Sequence, residues 1–377
     1  MRDAVIVEAV RAPIGKRNGS LAGMHPVDLG AHVLRSLSER SGIDTALVDD
    51  VVWGCVGAVG DQAGNIGRSV VLAADWPITV PATTVDRQCG SGQQAVHFAA
   101  AGVIAGHYDI AVAGGVESMS RVPMGSARAS GQPFGQTVFD RFGVDGFNQG
   151  YGADVIAERW GLSRRQLDEF AASSHEKAAR AIDSGALDAQ VAAITGVLEM
   201  DEGLRRGTTA DTLAALKPAF KEDGVIHAGN ASQMSDGSGA LLIMTSEKAA
   251  QLGLKPIARI HTAVVVGDDP VVMLTGPIPA TAKALEKSGL SISDIGAFEI
   301  NEAFASVPLA WLAETGADPA HLNPLGGAIA VGHPLGGSGP VLMTRLVHHM
   351  RDNGIRYGLQ SMCEGGGLAN ATILELL

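Results

Sequence analysis

The sequence predicts an α/β protein built from two similar lobes, and three observations carry that expectation. Strand-like and helix-like segments alternate over residues 4–115 and again from residue 257 onward, the spacing of βαβ units and of a mostly parallel sheet covered by helices. Each half holds a Gly-Ser-Gly loop that opens a helix and is followed by a strand ending in glycines. Gly90-Ser-Gly92 leads to Gly114-Gly115, and Gly337-Ser-Gly339 leads to Gly365-Gly-Gly367. The 377 residues are 46% apolar with 49 glycines and only 4% aromatics, which suits a large core with many tight loops and excludes a disordered or coiled-coil chain.

In chain order, residues 4–10 read as a strand, 26–41 as a helix and 50–54 as a second strand. Residues 80–85 favour a third strand, and Val96, Ala99, Ala100, Val103 and Ile104 then recur at the i, i+3, i+4, i+7 and i+8 positions of an amphipathic helix. A strand over 108–115 closes the first half. From about 119 to 229 the texture changes. Residues 126–135, rich in Gly, Ser and Ala, read as loop; 153–160 and 164–184 read as helices, the second with Ser163 as N-cap. This stretch is expected to be an excursion over the active face that supplies ligand contacts. The expected division is an N-terminal lobe at 1–118, the inserted loop domain at 119–229, a return to the first lobe at 230–255 and the C-terminal lobe at 256–377. In that last lobe a strand over 295–300 feeds Asn301-Glu-Ala-Phe-Ala305. A glycine-rich loop carries His333 into a helix with Leu342, Leu346 and Met350 on one face, and a strand over 357–362 delivers Cys363.

No apolar run reaches the roughly 20 residues of a membrane span, and Met1-Arg-Asp leads straight into a strand-like segment with no signal-peptide region. A cytoplasmic location is expected, and Leu-Glu-Leu-Leu377 is no peroxisomal address. Three cysteines without a framework spacing fit a reducing compartment, and the absence of any CxxC argues against a metal site. A formal charge of −12 argues against nucleic acid, so an anionic ligand would rely on local features such as Arg205, Arg206, Lys217 or helix N-termini.

Cys89 stands where a strand gives way to a helix. There it would cap the helix, with Gly90 and Gly92 allowing close backbone approach and the helix dipole favouring a thiolate. The competing reading is a buried filler. Cys363 and His333 shift the balance: two thiols and an imidazole beside glycine clusters suit one covalent acyl intermediate, one activating base and one further acid/base. Making or breaking a carbon–carbon bond next to a carbonyl needs that second proton carrier and donors for two oxyanions. Cys55 is expected to be a buried strand-end residue, Glu117 and Glu302 to orient loops, and Met343 and Met350 to be core.

Cys89-Gly-Ser-Gly92, Gly114-Gly-Val-Glu-Ser-Met-Ser120, Asn230-Ala-Ser232, Asn301-Glu-Ala-Phe304, Gly332-His-Pro-Leu-Gly-Gly-Ser-Gly339 and Cys363-Glu-Gly-Gly-Gly367 resemble the thiolase family, in family order, from Arg11-Ala-Pro-Ile-Gly15 almost to the C-terminus. The resemblance implies a five-layer αβαβα fold of two duplicated lobes with an inserted loop domain. It further implies assembly as a homodimer or homotetramer, and CoA as co-substrate with no tightly bound cofactor. Residue by residue it implies Cys89 as the acylated nucleophile, His333 as its base and Cys363 as the acid/base for the acetyl-CoA enolate and incoming CoA. Asn301 would hold a water that forms one oxyanion hole with His333, and the backbone N–H groups of Cys89 and Gly365 would form the other. Arg205, Leu216, Phe220, Ala228 and Ser232 occupy positions that contact CoA in the family.

One departure concerns the acyl pocket. Short-chain biosynthetic thiolases carry His-Met-Gly where this chain has Asn148-Gln149-Gly150. The change points to a degradative 3-ketoacyl-CoA thiolase, with a hydratase or dehydrogenase of the same pathway as a candidate partner. The rival readings are a biosynthetic acetoacetyl-CoA thiolase and, from another class, a catalytically silent acyl-CoA-binding scaffold. Decarboxylative condensing enzymes of this fold lack the second cysteine. The segment 121–147 is shorter than the usual tetramer-forming region, which favours a dimer.

Overall fold

The computed structural model describes residues 2–377. Among them, the strands are β1 (Val5–Arg11), β2 (Gly15–Lys16), β3 (Asp50–Gly54), β4 (Ala82–Val85), β5 (Ile110–Ser118), β6 (Ser235–Met244), β7 (Ala258–Gly267), β8 (Ala297–Ile300), β9 (Tyr357–Glu364) and β10 (Leu368–Leu376). They form one sheet in the order β4-β3-β5-β6-β1-β7-β10-β9-β8, with β2 on β6. Outward from the middle, the first half places its strands in the chain order first, fifth, fourth, second, third. The second half repeats this, its third strand reduced to a single parallel bridge, Phe298 to Leu322. The duplication expected from the paired Gly-Ser-Gly loops is thus borne out. The halves meet at a short antiparallel seam, Val5 with Arg259 and Ile6 with Ala258.

The expectation of a mostly parallel sheet is corrected. Parallel pairing is confined to β3–β4, β3–β5 and β8–β9. After the excursion the chain returns as β6 between β5 and β1, antiparallel to both, and β9 and β10 form a hairpin across the Gly365–Gly367 turn.

Three apolar clusters define the layers. On one outer face the helices Pro26–Ser41 and Ile66–Ala73 pack Leu29, Leu34, Leu37 and Val70 against Val5, Val51 and Val112. On the other, Pro277–Ser288 and Ser306–Thr315 pack Ala280, Ala284 and Trp311 against Val264, Ala371 and Ile373. Between the two halves of the sheet lie Ser91–Ala105 and Leu335–Asn353, whose Val96, Ala99, Met343 and Leu346 share a core with Ala111, Ile243, Ala297 and Leu374. Ile104, expected on the apolar face of its helix, is exposed. The central helices cross at Gly92 and Gly339, so closely that a Cβ on either would strike the other's backbone. That crossing brings the Cys89 and His333 segments together.

The stretch between β5 and β6 holds Gln149–Arg159 and Arg164–Asp183, the latter opened by Ser163 in a capping box with Gln166. A buried ion-pair group ties this stretch to both lobes. The Asp201 carboxylate accepts from Arg11 Nη1 at 2.7 Å, Arg11 Nη2 at 3.0 Å and the Ile14 N–H at 2.9 Å, and Arg345 Nη1 stands 3.9 Å away. Burial alone would raise the Asp201 pKa, but the Arg11 guanidinium overrides it and holds the carboxyl below its ordinary range. No helix among the described residues is long and apolar enough to cross a membrane.

Candidate active site

The Cys89 turn is built by local geometry. Gln88 adopts a left-handed φ of 49°, and Gly90, not Cys89, is the N-cap of the Ser91–Ala105 helix. Cys89 therefore sits one residue ahead of the cap and does not form it as expected. The backbone N–H groups of Cys89 and Gly365 lie near its sulfur and favour the thiolate. These donors do not make it a resting thiolate, which corrects the expectation from the helix dipole. Burial is the larger effect, the thiol of Cys363 and the Glu364 carboxyl reinforce it, and the Cys89 pKa is pushed well above the ordinary thiol range.

His333 lies in the short link between the helices Ala328–Val331 and Leu335–Asn353, with Gly332 at φ 110°. Its N–H donates to Gln233 O at 3.0 Å and to Ser235 Oγ at 3.2 Å. Ser338, one turn into the following helix, fixes the ring. Its Oγ donates its only proton to Pro334 O at 2.9 Å, so at 2.6 Å it accepts from His333 Nδ1–H. The proton is thereby assigned to Nδ1 and the lone pair to Nε2, which faces Asn301 Nδ2 at 3.4 Å. Burial lowers the His333 pKa to about 4, so the ring is neutral. A neutral imidazole beside a neutral thiol is suited to moving a proton during nucleophilic attack, with no preformed ion pair.

Asn301 and Cys363 come from adjacent strand ends. The Ile300–Ser361 pairing of β8 and β9 continues in Asn301 N–H donating to Ser361 O at 3.0 Å, and Cys363 lies within β9 itself. Asn301 Nδ2 reaches Cys363 Sγ at 3.8 Å. Burial pushes the Cys363 thiol up to about 12, with the Asn301 contact pulling in the opposite direction.

Cys89, His333 and Cys363 line one cavity of about 630 Å³, together with Gln149, Arg205, Phe220, Ala228 and Ser232. Asn301 lies behind them, buried, with its Oδ1 free of protein partners. Two of the expected residues stand outside the wall of this cavity. Leu216 does not line this cavity; it packs behind Gly229 and is 40% exposed. The Asn148 side chain caps its own helix by accepting from the N–H groups of Gly150 and Tyr151, so its carbonyl is committed to the backbone and not to the pocket. Gln149, in contrast, places its amide against Gly365.

The expected loop-orienting residues behave as such. Glu117 accepts from the N–H groups of Val56, Gly57 and Gly336, and Glu302 accepts from Ser174, Asn323 and the Ile329 N–H. Cys55 is buried just after β3. Sequence reasoning missed Met119, Leu274, Phe304 and Leu335 in the cavity wall, and Ser338 behind His333. Leu335 and Ser338 had a local signal, since both lie in the same glycine-rich motif as His333, and Met119 and Phe304 lie in two of the other motifs; Leu274 had none.

Residues 4–247 match the family model of the thiolase N-terminal domain and residues 254–376 that of the thiolase C-terminal domain. The chain belongs to the thiolase family. It is an acyltransferase by that membership, with the thiolase fold described above. The chain is 48% identical to the steroid 3-ketoacyl-CoA thiolase FadA6 of Mycobacterium tuberculosis over 100% of its own length and 95% of the relative's. It is 40% identical to a 3-ketoacyl-CoA thiolase of Bacillus subtilis, with all of both chains covered. The crystal structure of the Bacillus anthracis acetyl-CoA acetyltransferase superposes with a TM-score of 0.92 at 39% identity, covering 100% of this chain and 99% of the other.

Proposed function

We propose that this thiolase cleaves 3-ketoacyl-CoA with CoA, giving acetyl-CoA and an acyl-CoA shortened by two carbons, in a degradative pathway. The observation that carries the reading is the convergence of Cys89, His333 and Cys363 on one cavity, with the Cys89 and Gly365 N–H groups directed at the Cys89 sulfur. As Cys89 Sγ attacks the 3-keto carbon, its proton passes to His333 Nε2. The carbon–carbon bond then breaks, and Cys363 protonates the acetyl-CoA enolate. In the second half-reaction Cys363 takes the proton of incoming CoA, whose sulfur displaces the acyl group from Cys89. The Cys89 and Gly365 N–H groups stabilise the oxyanion on the acylated carbon. Asn301, with His333 Nε2 and a water, serves the enolate oxygen.

CoA lies along Arg205, Phe220, Ala228 and Ser232, with Leu216 at the outer edge, and residues 119–229 act as the loop domain that supplies these contacts. The acyl group passes Gln149. An amide in place of a methionine there favours acyl groups larger than acetyl, in line with the names of the relatives above, although the acetyl-CoA acetyltransferase neighbour keeps the biosynthetic reading as the rival. The assembly is a homodimer through β4. That strand pairs only with β3, and the exposed Ile78, Leu72 and Phe98 lie on β4's own approach and on the neighbouring helices. With all three cysteines free, the enzyme acts in the reducing cytoplasm.

A panel of 3-ketoacyl-CoAs of graded length and bulk, read by thiolysis rate and by intact mass of the acyl-enzyme, tests this. Turnover with one adduct on wild type and none on Cys89→Ala is expected. Preference for acetoacetyl-CoA over every larger substrate would transfer the assignment to the biosynthetic rival.

A further inference from the structure

β5 and β9 hold equivalent places in the two halves of the sheet, and each carries a glutamate at or beside its last position, next to the N-terminus of a central helix. The two carboxyls are treated differently. Glu117 is saturated with donors: Val56 N–H at 3.0 Å, Gly57 N–H at 2.9 Å, Gln62 Nε2 at 2.7 Å and Gly336 N–H at 2.9 Å. Glu364 is completely buried, and neither of its carboxyl oxygens has a partner. Its Oε1 occupies the space that a side chain on Gly90 would need, so it lies against the peptide that follows Cys89.

The groups around Glu364 are few. From the 86–89 turn come Asp86, Arg87 and Cys89; Cys363 is its neighbour on β9; from β10, Asn370 donates to Gly90 O at 3.0 Å and leaves its own Oδ1 without a partner. The Arg87 Nε is likewise buried and unpartnered. A carboxylate in such a setting is expensive, whereas the neutral acid is tolerated. Burial pushes the Glu364 pKa up to about 8; Arg87 and the nearby Asn370 N–H, which is too far or too poorly aligned to form a hydrogen bond, oppose the rise, and Asp86 adds to it.

We propose that Glu364 is a positioning residue acting through Cys89: as the neutral acid it leaves the nucleophile free to be acylated, and as the anion it suppresses acylation, giving the first half-reaction a built-in alkaline limit. The inference rests on Cys89 being the acylated thiol. When Cys89 attacks a thioester, its S–H bond breaks, the proton passes to His333 Nε2, a carbon–sulfur bond forms, and the carbonyl π pair moves onto oxygen beside the Cys89 and Gly365 N–H groups; the pair then returns, the carbon–sulfur bond to CoA breaks, and the departing thiolate takes the Cys363 proton. Negative charge thus develops beside Glu364. A second negative charge there opposes the step, and a neutral carboxyl does not. On the alkaline side the Glu364 proton is lost to solvent hydroxide, so no further reactant is involved.

The test measures acylation of Cys89 by acetyl-CoA alone, by rapid quench and intact mass, for wild type and Glu364→Gln across about pH 6 to about pH 9.5. Because Cys89 and His333 are common to both proteins, the variant-to-wild-type rate ratio isolates Glu364. The ratio is expected to rise about tenfold across the range, with its midpoint near 8. Glu364→Leu, which removes both charge and hydrogen bonding, should give the same rise. A ratio that stays flat with pH in a folded variant overturns the proposal. If neither variant folds, the wild-type profile decides, since an acylation rate that does not fall above about pH 8 is then equally fatal. Absence of any adduct on wild-type Cys89 would instead sink the proposed function, and this inference with it.

Discussion

Ser338→Ala isolates the contribution of the hydrogen bond behind the base. In the structure Ser338 Oγ accepts from His333 Nδ1–H at 2.6 Å while donating to Pro334 O. The alanine keeps the Cβ and the helix, but leaves a buried N–H without an acceptor. In the resting enzyme the ring is neutral, and a neutral hydrogen bond contributes about 0.5–1.5 kcal/mol. As His333 takes the Cys89 proton it becomes an imidazolium, and the same bond then contributes about 1.5–3 kcal/mol, because the donor is charged. The increment falls on the transition state, so kcat should drop by up to about tenfold, and by up to about 150-fold if the freed ring also turns and loses its tautomer. KM for CoA should change little. Both half-reactions use His333, so acylation by rapid quench and thiolysis by steady state should slow together. A Ser338→Ala enzyme with wild-type kcat, or one altered only in KM, would refute the assignment of the lone pair to Nε2.

Cys363→Ala should still accept an acyl group at Cys89 while losing most of its thiolysis turnover; near-normal turnover would show that another group moves the proton. Gln149→Met should shift kcat/KM towards acetoacetyl-CoA and away from bulky substrates, measured as a ratio across the panel, and an unchanged ratio would take Gln149 out of the acyl pocket. Asp201→Asn leaves the Arg11 and Arg345 guanidiniums without their buried counter-charge and should destabilise by about 3–5 kcal/mol in urea unfolding; a loss below about 1 kcal/mol would show that the group is solvated. Burial raises Glu299 from an ordinary 4.5 to about 8 even though Arg345 opposes it, so the folded state binds the extra proton. Its stabilising effect is therefore complete below about pH 4.5 and lost as the pH rises through about 8. Glu299→Gln should flatten that decline in stability, and an unchanged slope between those limits would refute the shift.

The meeting of Cys89, His333, Cys363 and Asn301 at one site was legible because each sits in a short motif whose glycines and strand-to-helix transitions are local properties. The Pro26–Ser41 and Asp50–Gly54 elements matched their expected ends for the same reason. What was not legible depends on partners remote in sequence. The antiparallel insertion of β6 between β1 and β5 joins segments more than a hundred residues apart, and no periodicity reports it. The protonated resting state of Cys89 is a product of burial, which only the packed central layer decides. Asn148 was recoverable in principle: placing the helix start at Gln149 instead of residue 153 makes Asn148 an N-cap and removes it from the pocket.

The seam between the lobes has a kinetic consequence. β1 lies in the middle of the sheet, with β6 on one side and β7 on the other, so this strand cannot be paired along both edges until residues 235–267 have been made. At about 5–20 residues per second, Val5–Arg11 waits on the order of ten seconds or more as an apolar strand with two open edges. Closing loops of that length before any ladder forms makes for slow folding with a high contact order. The nascent chain is therefore exposed to aggregation through the very segment that later welds the two lobes into one sheet.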